Sequence, residues 1–212
     1  MTELLAYALS GIAAYLLGAI PFGLIIGKSR GVDIRTIGSG NIGATNVFRC
    51  VGKGWGIFAF LLDMMKGYLA ACGLPLLAAG FTGEARSMAL AISCTILAVV
   101  GHNWPVFLRF RGGKGIATTT GGLLGLAPAA MGIGLLAWAL TFMTTRYVSV
   151  ASMGAALVAA AASWWLYAAE APALSITLTI LAAMAIWRHR PNIRRLAQGT
   201  ENRFDFKRKQ HH

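Results

Sequence analysis

The chain has 212 residues, of which 57% are hydrophobic and only 12% are charged, and its formal net charge at pH 7 is +12. Such an apolar composition excludes a soluble domain with an ordinary surface and indicates an integral membrane protein. No basic helix or aromatic-interleaved groove accompanies the positive charge, which argues against a nucleic-acid partner. The three cysteines form no C-x-x-C pair, so neither a disulfide framework nor a zinc site is indicated.

The first apolar segment runs from Leu4 to Ile26. The residues before it carry no positive charge, and the first cation after it is Lys28. This order of charges predicts a retained transmembrane helix with its N-terminus outside, rather than a cleaved signal peptide. Pro21 lies inside the segment and is predicted to kink the helix without breaking it.

A polar loop, residues 28–54, follows this helix, and its lysines and arginines predict that it is cytoplasmic. Its central run is rich in glycine and in hydrogen-bond donors. Glycines allow backbone N–H groups to converge on one oxyanion, and neutral donors and a guanidinium add further hydrogen bonds to it. We therefore expect this run to bind phosphate through Gly38, Ser39, Gly40, Asn41, Gly43, Thr45, Asn46 and Arg49.

The same glycines also fit the G-x-G-x-x-G pattern of dinucleotide-binding proteins, with Asp63 about 20 residues further on. That pattern requires a buried parallel strand before the first glycine. Here the preceding residues 32–35 are short and charged, and Asp63 falls inside an apolar run, so a dinucleotide site is disfavoured. A simple flexible connector remains the second alternative.

A second apolar segment runs from Trp55 to about Ala79 and contains Asp63 and Lys66. Residues three apart share a helix face, so these two can form an ion pair. Because ionisable residues in a bilayer are costly, they are either site residues or a structural pair that fastens the helix to the polar loop. An outer turn is predicted at 80–86, with Glu84, and a third segment from Ser87 to about Phe107.

The third segment leads into a second basic glycine-rich loop, residues 108–117. Gly112, Gly113 and Gly115 surround Lys114, so backbone N–H groups and one ammonium can meet the same phosphate. The spacing is not that of a Walker A loop. The alternative is a flexible, positively charged cytoplasmic hairpin.

Positive charges also decide the predicted topology. Apart from Lys66 and Arg86, the Lys and Arg residues fall in the two loops, at Arg146 and in the tail 188–212, and all four places are expected in the cytoplasm. The stretch between Lys114 and Arg146 must then enter the membrane and return, as two short helices folded at Ala127 and Pro128.

The fold class predicted is therefore a polytopic, all-α membrane protein, forming one domain over residues 1–212. It has seven transmembrane segments, with the N-terminus outside and the C-terminus inside. The fourth and fifth segments form the short hairpin, and the last two run over Val148–Ala168 and Leu174–Trp187. The alternative has five spans, with Gly121 to Met143 as one helix, but it places Arg146 outside.

Further polar residues lie at the predicted cytoplasmic helix ends. Ser149 and Ser152 follow Arg146, and they are either site residues or a pair of core hydroxyls. The arginines of the tail suit a topology signal or a lipid-surface patch. His189 and Asn192 differ from them, because they are uncharged hydrogen-bonding groups that can reach the same interface as the glycine loops.

Six motifs in order along the chain resemble those of the membrane glycerol-3-phosphate acyltransferases that use acyl phosphate, the PlsY family. They are GSGNIGATN with Arg49, D-x-x-K-G from Asp63, G-H-x-x-P-V-F from Gly101, GGKG-I-A-T from Gly112, R-Y-V-S-x-A-S from Arg146, and R-H-x-x-N-I-x-R from Arg188. Together they cover nearly the whole chain.

The resemblance implies a multi-pass enzyme of the bacterial inner membrane whose active site faces the cytoplasm. It implies transfer of a fatty acyl group from acyl phosphate to the 1-hydroxyl of sn-glycerol 3-phosphate, giving lysophosphatidate and phosphate. An acyl-phosphate-forming enzyme is then its functional partner, and membrane lipid surrounds it. No metal or other cofactor is expected.

The resemblance also assigns roles to residues. Those expected to be catalytic are Ser39, Arg49, Lys114, His189 and Asn192. Those expected to bind substrate phosphate are the remaining loop residues named above, with Ser149 and Ser152. Supporting roles are expected for Asp63, Lys66, His102, Arg146 and Glu201.

Acyl phosphate is already an activated anhydride, so no acyl-enzyme is expected. The rival functions are a transporter of phosphorylated solutes and a structural protein whose basic loops bind anionic lipid.

Overall fold

A computed structural model describes residues 3–83 and 87–204, and these residues form helices and loops with no strand. Of the outer turn predicted at 80–86, residues 80–82 end a helix and Glu84 to Arg86 lie outside the described residues, as does the end of the tail. The helices are α1 (Glu3–Ala19), α2 (Phe22–Ser29), α3 (Ala44–Cys50), α4 (Lys53–Tyr68), α5 (Leu74–Thr82), α6 (Met88–Asn103), α7 (Ile116–Leu126), α8 (Pro128–Thr145), α9 (Val148–Tyr167), α10 (Pro172–Arg188) and α11 (Arg190–Ala197).

A π-helical turn, Leu69–Gly73, joins α4 to α5, and a 3₁₀ turn, Val106–Leu108, follows α6. The chain divides into two compact units, residues 1–128 and 129–212. Each is described by itself.

The first unit is held together by close approaches between helix backbones. A β-carbon on Gly18 would overlap the backbone of Ala98, and one on Gly101 would overlap the carbonyl of Tyr15, so α1 and α6 pack face to face. Gly67 and Gly121 allow the same approach between α4 and α7. Small residues therefore set these interfaces, as is common where packing rather than hydrophobic burial drives helix association.

A buried apolar cluster lies under the first polar loop. Its buried members are Leu24, Ile26, Ile34, Ile42, Val47 and Ala59. Leu108, the first residue of the second glycine-rich loop, packs against the same cluster. Both glycine-rich loops therefore border one small core within the first unit.

In the second unit, α8, α9 and α10 also pack through small residues. Gly134 of α8 lies against Ala159 of α9, since a β-carbon on the glycine would come within 2.9 Å of the alanine methyl group. The hydroxyl of Ser175 in α10 donates to the backbone oxygen of Ser163 in α9 at 2.8 Å. Ala159 and Ser163 belong to the small-residue run that the sequence predicts at helix contacts, and both are buried.

Five helical runs among the described residues are long and apolar enough to cross a membrane. They span 3–29, 53–82, 88–108, 128–145 and 148–167. A sixth is added if α10 and α11, which are bent by 53°, count as one span. The all-helical, multi-pass fold is thus confirmed, whereas the count of seven and the orientation in the membrane stay predictions.

The sequence predicts a kink without a break at Pro21 and a fold at Ala127 and Pro128, and the helices are interrupted at both positions. Helical hydrogen bonding is interrupted at Ile20 and Pro21, and yet residues 3–29 still form one candidate span. The second break falls at Ala127, whose φ of −145° ends α7 before Pro128 begins α8. A single helix from Gly121 to Met143, which the five-span alternative requires, is therefore wrong. At 18 residues, α8 is longer than the short helix expected there.

Candidate active site

The first glycine-rich loop is folded around the side chain of Asn46, which is 1% exposed. Its amide nitrogen donates to the backbone oxygens of Ile34 at 2.7 Å and Ile37 at 3.1 Å. Its amide oxygen accepts the backbone N–H of Ser39 at 3.0 Å. Asn46 is therefore the scaffold of the loop, and its predicted role as a direct phosphate donor does not match these contacts.

Two glycines of the central run are left-handed, and one of them lies against the same side chain. Gly38 has φ of +65°, and a β-carbon there would approach the Asn46 amide oxygen to 2.5 Å. Gly40 has φ of +67°. Both positions favour glycine because other residues rarely adopt this conformation.

Several backbone N–H groups expected to bind an anion already donate within the loop. The amide of Ser39 is bound to Asn46, that of Gly40 donates to Ile37 at 3.2 Å, and that of Gly43 donates to the Asn41 side chain at 2.9 Å. These three N–H groups therefore do not contribute to the predicted nest, and binding of phosphate by the rest of this loop stays a prediction. Among the polar side chains predicted to bind phosphate here, those of Ser39 and Arg49 are half-buried and that of Thr45 is exposed.

In the second glycine-rich loop, the first two glycines are tied to the end of α6. The amide of Gly112 donates to the backbone oxygen of Asn103 at 3.2 Å, and that of Gly113 donates to the backbone oxygen of His102 at 3.1 Å. These two N–H groups, like those of the first loop, serve the fold. They position the rest of the turn over α6.

The remaining half of this turn is the N-terminus of α7. Gly115 is its N-cap, with φ of +78° and no side-chain cap. The first N–H groups of a helix have no partner within it, and here no cap supplies one, so they are suited to an anion. Lys114 precedes the N-cap and adds a positive charge. Within the predicted phosphate site at this loop, the parts suited to bind an anion are therefore Lys114 and the first turn of α7.

Behind this turn lies a buried ionic cluster, Asp63, Lys66 and His102, whose side chains are at most 6% exposed. Lys66 Nζ lies 2.8 Å from Asp63 Oδ1 and donates to the backbone oxygen of Ile20 at 2.9 Å. The contacts are those of a structural ion pair. Its further partner is the break between α1 and α2, rather than the polar loop that the sequence suggested.

In the second unit, Glu201 collects three hydrogen bonds. Its Oε1 accepts from Asn192 Nδ2 at 2.6 Å and from Ser149 Oγ at 2.9 Å, and its Oε2 accepts from Arg195 Nε at 2.7 Å. The side chain of Glu201 is 4% exposed. Three predicted residues, Ser149, Asn192 and Glu201, are thereby brought together. Arg195 ends the motif that begins at Arg188, but the arginines of the tail are predicted only as a topology signal or a lipid-surface patch, so its contribution was missed.

The environment of Glu201 keeps it ionised. Burial alone would raise the pKa of this carboxyl, but the hydrogen bonds from Asn192, Arg195 and Ser149 and the charge of Arg195 together lower the pKa below its ordinary value. An ionised Glu201 can only accept hydrogen bonds, so it fixes Asn192 with Nδ2 towards the carboxylate. The buried Oδ1 of Asn192 then has no hydrogen-bond partner among the described residues and can accept one.

His189 is 2% exposed and lies in the same unit, at the junction of α10 and α11. Its Nδ1 is 2.8 Å from the backbone oxygen of Ala185. Because a carbonyl oxygen only accepts, Nδ1 carries the proton, and in the neutral ring Nε2 is the basic nitrogen. The contact with Ala185 therefore sets the tautomer of the neutral ring.

The other predicted residues of this unit have contacts of their own. Ser152 is buried, and its hydroxyl accepts from Trp138 Nε1 at 3.3 Å. Nothing in the pattern around Trp138 had indicated this contact. Arg146 has φ of +62°, and its backbone oxygen accepts the N–H of Phe204 at 2.8 Å, so its backbone ties the tail to the loop before α9.

The chain is similar to known proteins over most of its length. The profile of the family described as "Glycerol-3-phosphate acyltransferase" matches residues 8–199. Curated glycerol-3-phosphate acyltransferases of Geotalea daltonii and Aquifex aeolicus are 44% and 41% identical to the chain, and each alignment covers 91% of it and at least 95% of the relative.

A solved structure also matches. It is described as PlsY (YgiH), an integral membrane glycerol 3-phosphate acyltransferase, in its glycerol 3-phosphate form. The TM-score is 0.82 at 39% identity, over 94% of this chain and 96% of the other. A second structure, of the lysphosphatidic acid form, has a TM-score of 0.79. By profile, sequence and fold, the chain belongs to the glycerol-3-phosphate acyltransferase family of the PlsY type.

Proposed function

We propose that this protein transfers a fatty acyl group from acyl phosphate to the 1-hydroxyl of sn-glycerol 3-phosphate. The products are lysophosphatidate and inorganic phosphate, which makes it an early enzyme of bacterial phospholipid synthesis. The observation that carries the proposal is the match over 94% of the chain to a structure described in its glycerol 3-phosphate form. The related structure described in its lysphosphatidic acid form adds the product of the same reaction.

The phosphate sites are assigned to the cations and hydrogen-bond donors of the two glycine-rich loops. Lys114 and the first turn of α7 supply a cation and helical N–H groups, which together bind a phosphate dianion well. Arg49, Ser39 and Thr45 supply side-chain donors at the first loop. Both loops border the same apolar cluster, so the two groups of donors belong to one end of the first unit.

The acceptor hydroxyl is assigned to the cluster around Glu201. Asn192 Oδ1 and His189 Nε2 are both hydrogen-bond acceptors, and such atoms suit an alcohol that must lose its proton. Ser149 and Asn192 are held by the ionised Glu201, so this cluster is pre-organised before substrate binds.

In the reaction, the hydroxyl oxygen of glycerol 3-phosphate attacks the acyl carbon, the new ester bond forms, and the bond from that carbon to the phosphate oxygen breaks. The leaving group is phosphate, so no covalent nucleophile of the protein is required. Lys114, Arg49 and the α7 N-terminus stabilise the departing negative charge. The hydroxyl proton goes either to His189 Nε2 or to a phosphate oxygen of a substrate.

We assign the enzyme to the inner membrane, with the phosphate sites towards the cytoplasm. The positive charges of residues 28–54, of residues 108–117 and of the tail support this orientation by the positive-inside rule.

Purified protein in detergent, given acyl phosphate and glycerol 3-phosphate, is expected to release phosphate and form lysophosphatidate in equal amounts. Omission of glycerol 3-phosphate should abolish sustained release. Phosphate release without an acylated product would refute acyl transfer. A His189→Ala variant with a normal turnover rate would exclude His189 as the proton acceptor and leave a substrate phosphate in that role.

A further inference from the structure

The ionic cluster of Asp63, Lys66 and His102 has a second neighbour besides the break at Ile20, namely the GGKG turn, residues 112–115. His102 links the two. Its Nδ1 lies 3.6 Å from Asp63 Oδ1, and its backbone oxygen accepts the N–H of Gly113. The cluster therefore touches the same turn that carries Lys114.

The ring of His102 also fills the space beside Gly113. A β-carbon on Gly113 would overlap Nε2 of this ring and come within 2.9 to 3.1 Å of two of its carbons. The backbone of Gly113 does not adopt a left-handed conformation, so alanine would be allowed there on conformational grounds. The need for glycine at this position comes from the imidazole ring.

Asp63 and Lys66 control the orientation of the His102 ring. Asp63 is held by Lys66, and Lys66 in turn is anchored to the Ile20 carbonyl. The negative carboxylate faces Nδ1 of His102, which favours a proton on that nitrogen and turns Nε2 towards the glycine turn. At 3.6 Å this is an electrostatic contact, so it directs the ring without a hydrogen bond.

We infer that His102 is a positioning residue for the GGKG turn, with Asp63 and Lys66 as the base that holds its ring. By supporting Gly113 from below, His102 sets the place of Lys114 and of the α7 N-terminus, and so the affinity for one of the two phosphate substrates. This inference rests on the proposed function. We assign none of the three residues a contact with substrate.

A purely structural cluster would affect both substrates equally, whereas a positioning role predicts a selective effect. His102→Asn is the variant of choice, because the asparagine amide keeps a donor towards Asp63 and removes the ring atoms that contact Gly113. We expect the KM for one phosphate substrate to rise about tenfold, since a displacement of about 1 Å can cost up to a hundredfold. The KM for the other substrate should stay within about twofold.

The steric part of the inference is tested by a pair of variants. Gly113→Ala should raise the same KM and lower the melting temperature, because its methyl group meets the ring. Adding His102→Asn to Gly113→Ala should recover part of both losses, although each change is harmful alone. Gly132→Ala in α8 is the matched control, since a β-carbon there meets no atom within 4 Å.

Equal changes in both KM values, or a double variant no better than Gly113→Ala alone, would overturn the inference. The melting temperature needs no substrate, so the recovery can be measured even if the wild-type protein makes no lysophosphatidate. A wild-type protein that makes no lysophosphatidate would refute the proposed function instead. Elution from a sizing column in detergent checks that each variant is folded.

Discussion

Replacement of Glu201 by glutamine tests the pre-organised cluster most directly. The glutamine oxygen can still accept from Asn192 and Ser149, but its NH₂ group would face Arg195 Nε, which is 2.7 Å from the carboxylate oxygen in the wild type. A hydrogen bond to a charged group contributes about 1.5 to 3 kcal/mol. Glu201→Gln should therefore destabilise the protein by about that amount.

For a chain of this length, 1 kcal/mol corresponds to about 2 to 4 °C in melting temperature, so the expected decrease is about 3 to 12 °C. Thermal unfolding in detergent measures it. A double-mutant cycle with Arg195→Met isolates the contribution of the ion pair, since neighbouring residues couple and distant ones add. Most of the loss should disappear in the Arg195→Met background.

The pH dependence of the same variant follows from the lowered pKa of Glu201. A carboxyl with a folded pKa below its ordinary value of 4.5 stabilises the fold fully above pH 4.5, and this stabilisation is lost as the pH falls through the folded pKa. The wild type should therefore melt higher than Glu201→Gln at neutral pH, and the difference should shrink below pH 4.5. A difference that is unchanged at low pH, or no coupling to Arg195, would refute the assignment of an ionised, hydrogen-bonded Glu201.

The remaining predictions concern the first unit. Asn46→Ala should lower the melting temperature and acyl transfer together, because its three loop hydrogen bonds are lost and buried groups are left unsatisfied at about 1 to 3 kcal/mol each. Lys66→Met should destabilise the protein by about 3 to 5 kcal/mol, measured by thermal unfolding, since it leaves Asp63 buried without its ion-pair partner. If the double variant with Asp63→Asn is no more stable, the buried unpaired charge is not the cause of the loss. Gly67→Ala should cost about 1 to 3 kcal/mol in the same assay, because its methyl group would meet the backbone of α7. Asp33→Asn removes a solvent-exposed pair and should leave the melting temperature unchanged, although Arg35 lowers the pKa of Asp33 to about 2.

Much of the fold could be predicted from apolar length and charge alone. The break before Pro128 followed from the positive charges at Lys114 and Arg146, which must lie on one side of the membrane, and from a stretch too short for two full spans. The count of spans is harder to predict. With 11 residues, α7 is too short to cross a bilayer as one straight helix, and hydrophobicity does not tell how such a segment is used.

The ionic pair of Asp63 and Lys66 could be predicted from helical spacing, whereas its third member could not. His102 lies on another helix, and it is brought beside Asp63 by the close packing that glycines allow. Contacts of this kind depend on which helices are neighbours, and one sequence contains little information on that. The contact between Trp138 and Ser152 was hidden for the same reason.

The prediction for the N–H groups of the first glycine-rich loop differs most from the structure, for a physical reason. A run of glycines and amide side chains predicts left-handed turns with many exposed N–H groups. The left-handed turns occur, at Gly38 and Gly40. Composition does not say which acceptor those groups find. In this loop the acceptors are internal, namely the side chains of Asn46 and Asn41 and the backbone oxygen of Ile37, so these polar groups build a scaffold. At the second loop the scaffold is the end of α6, and a helix N-terminus is what remains available. A motif rich in donors therefore predicts where an anion binds more reliably than it predicts which donors bind it.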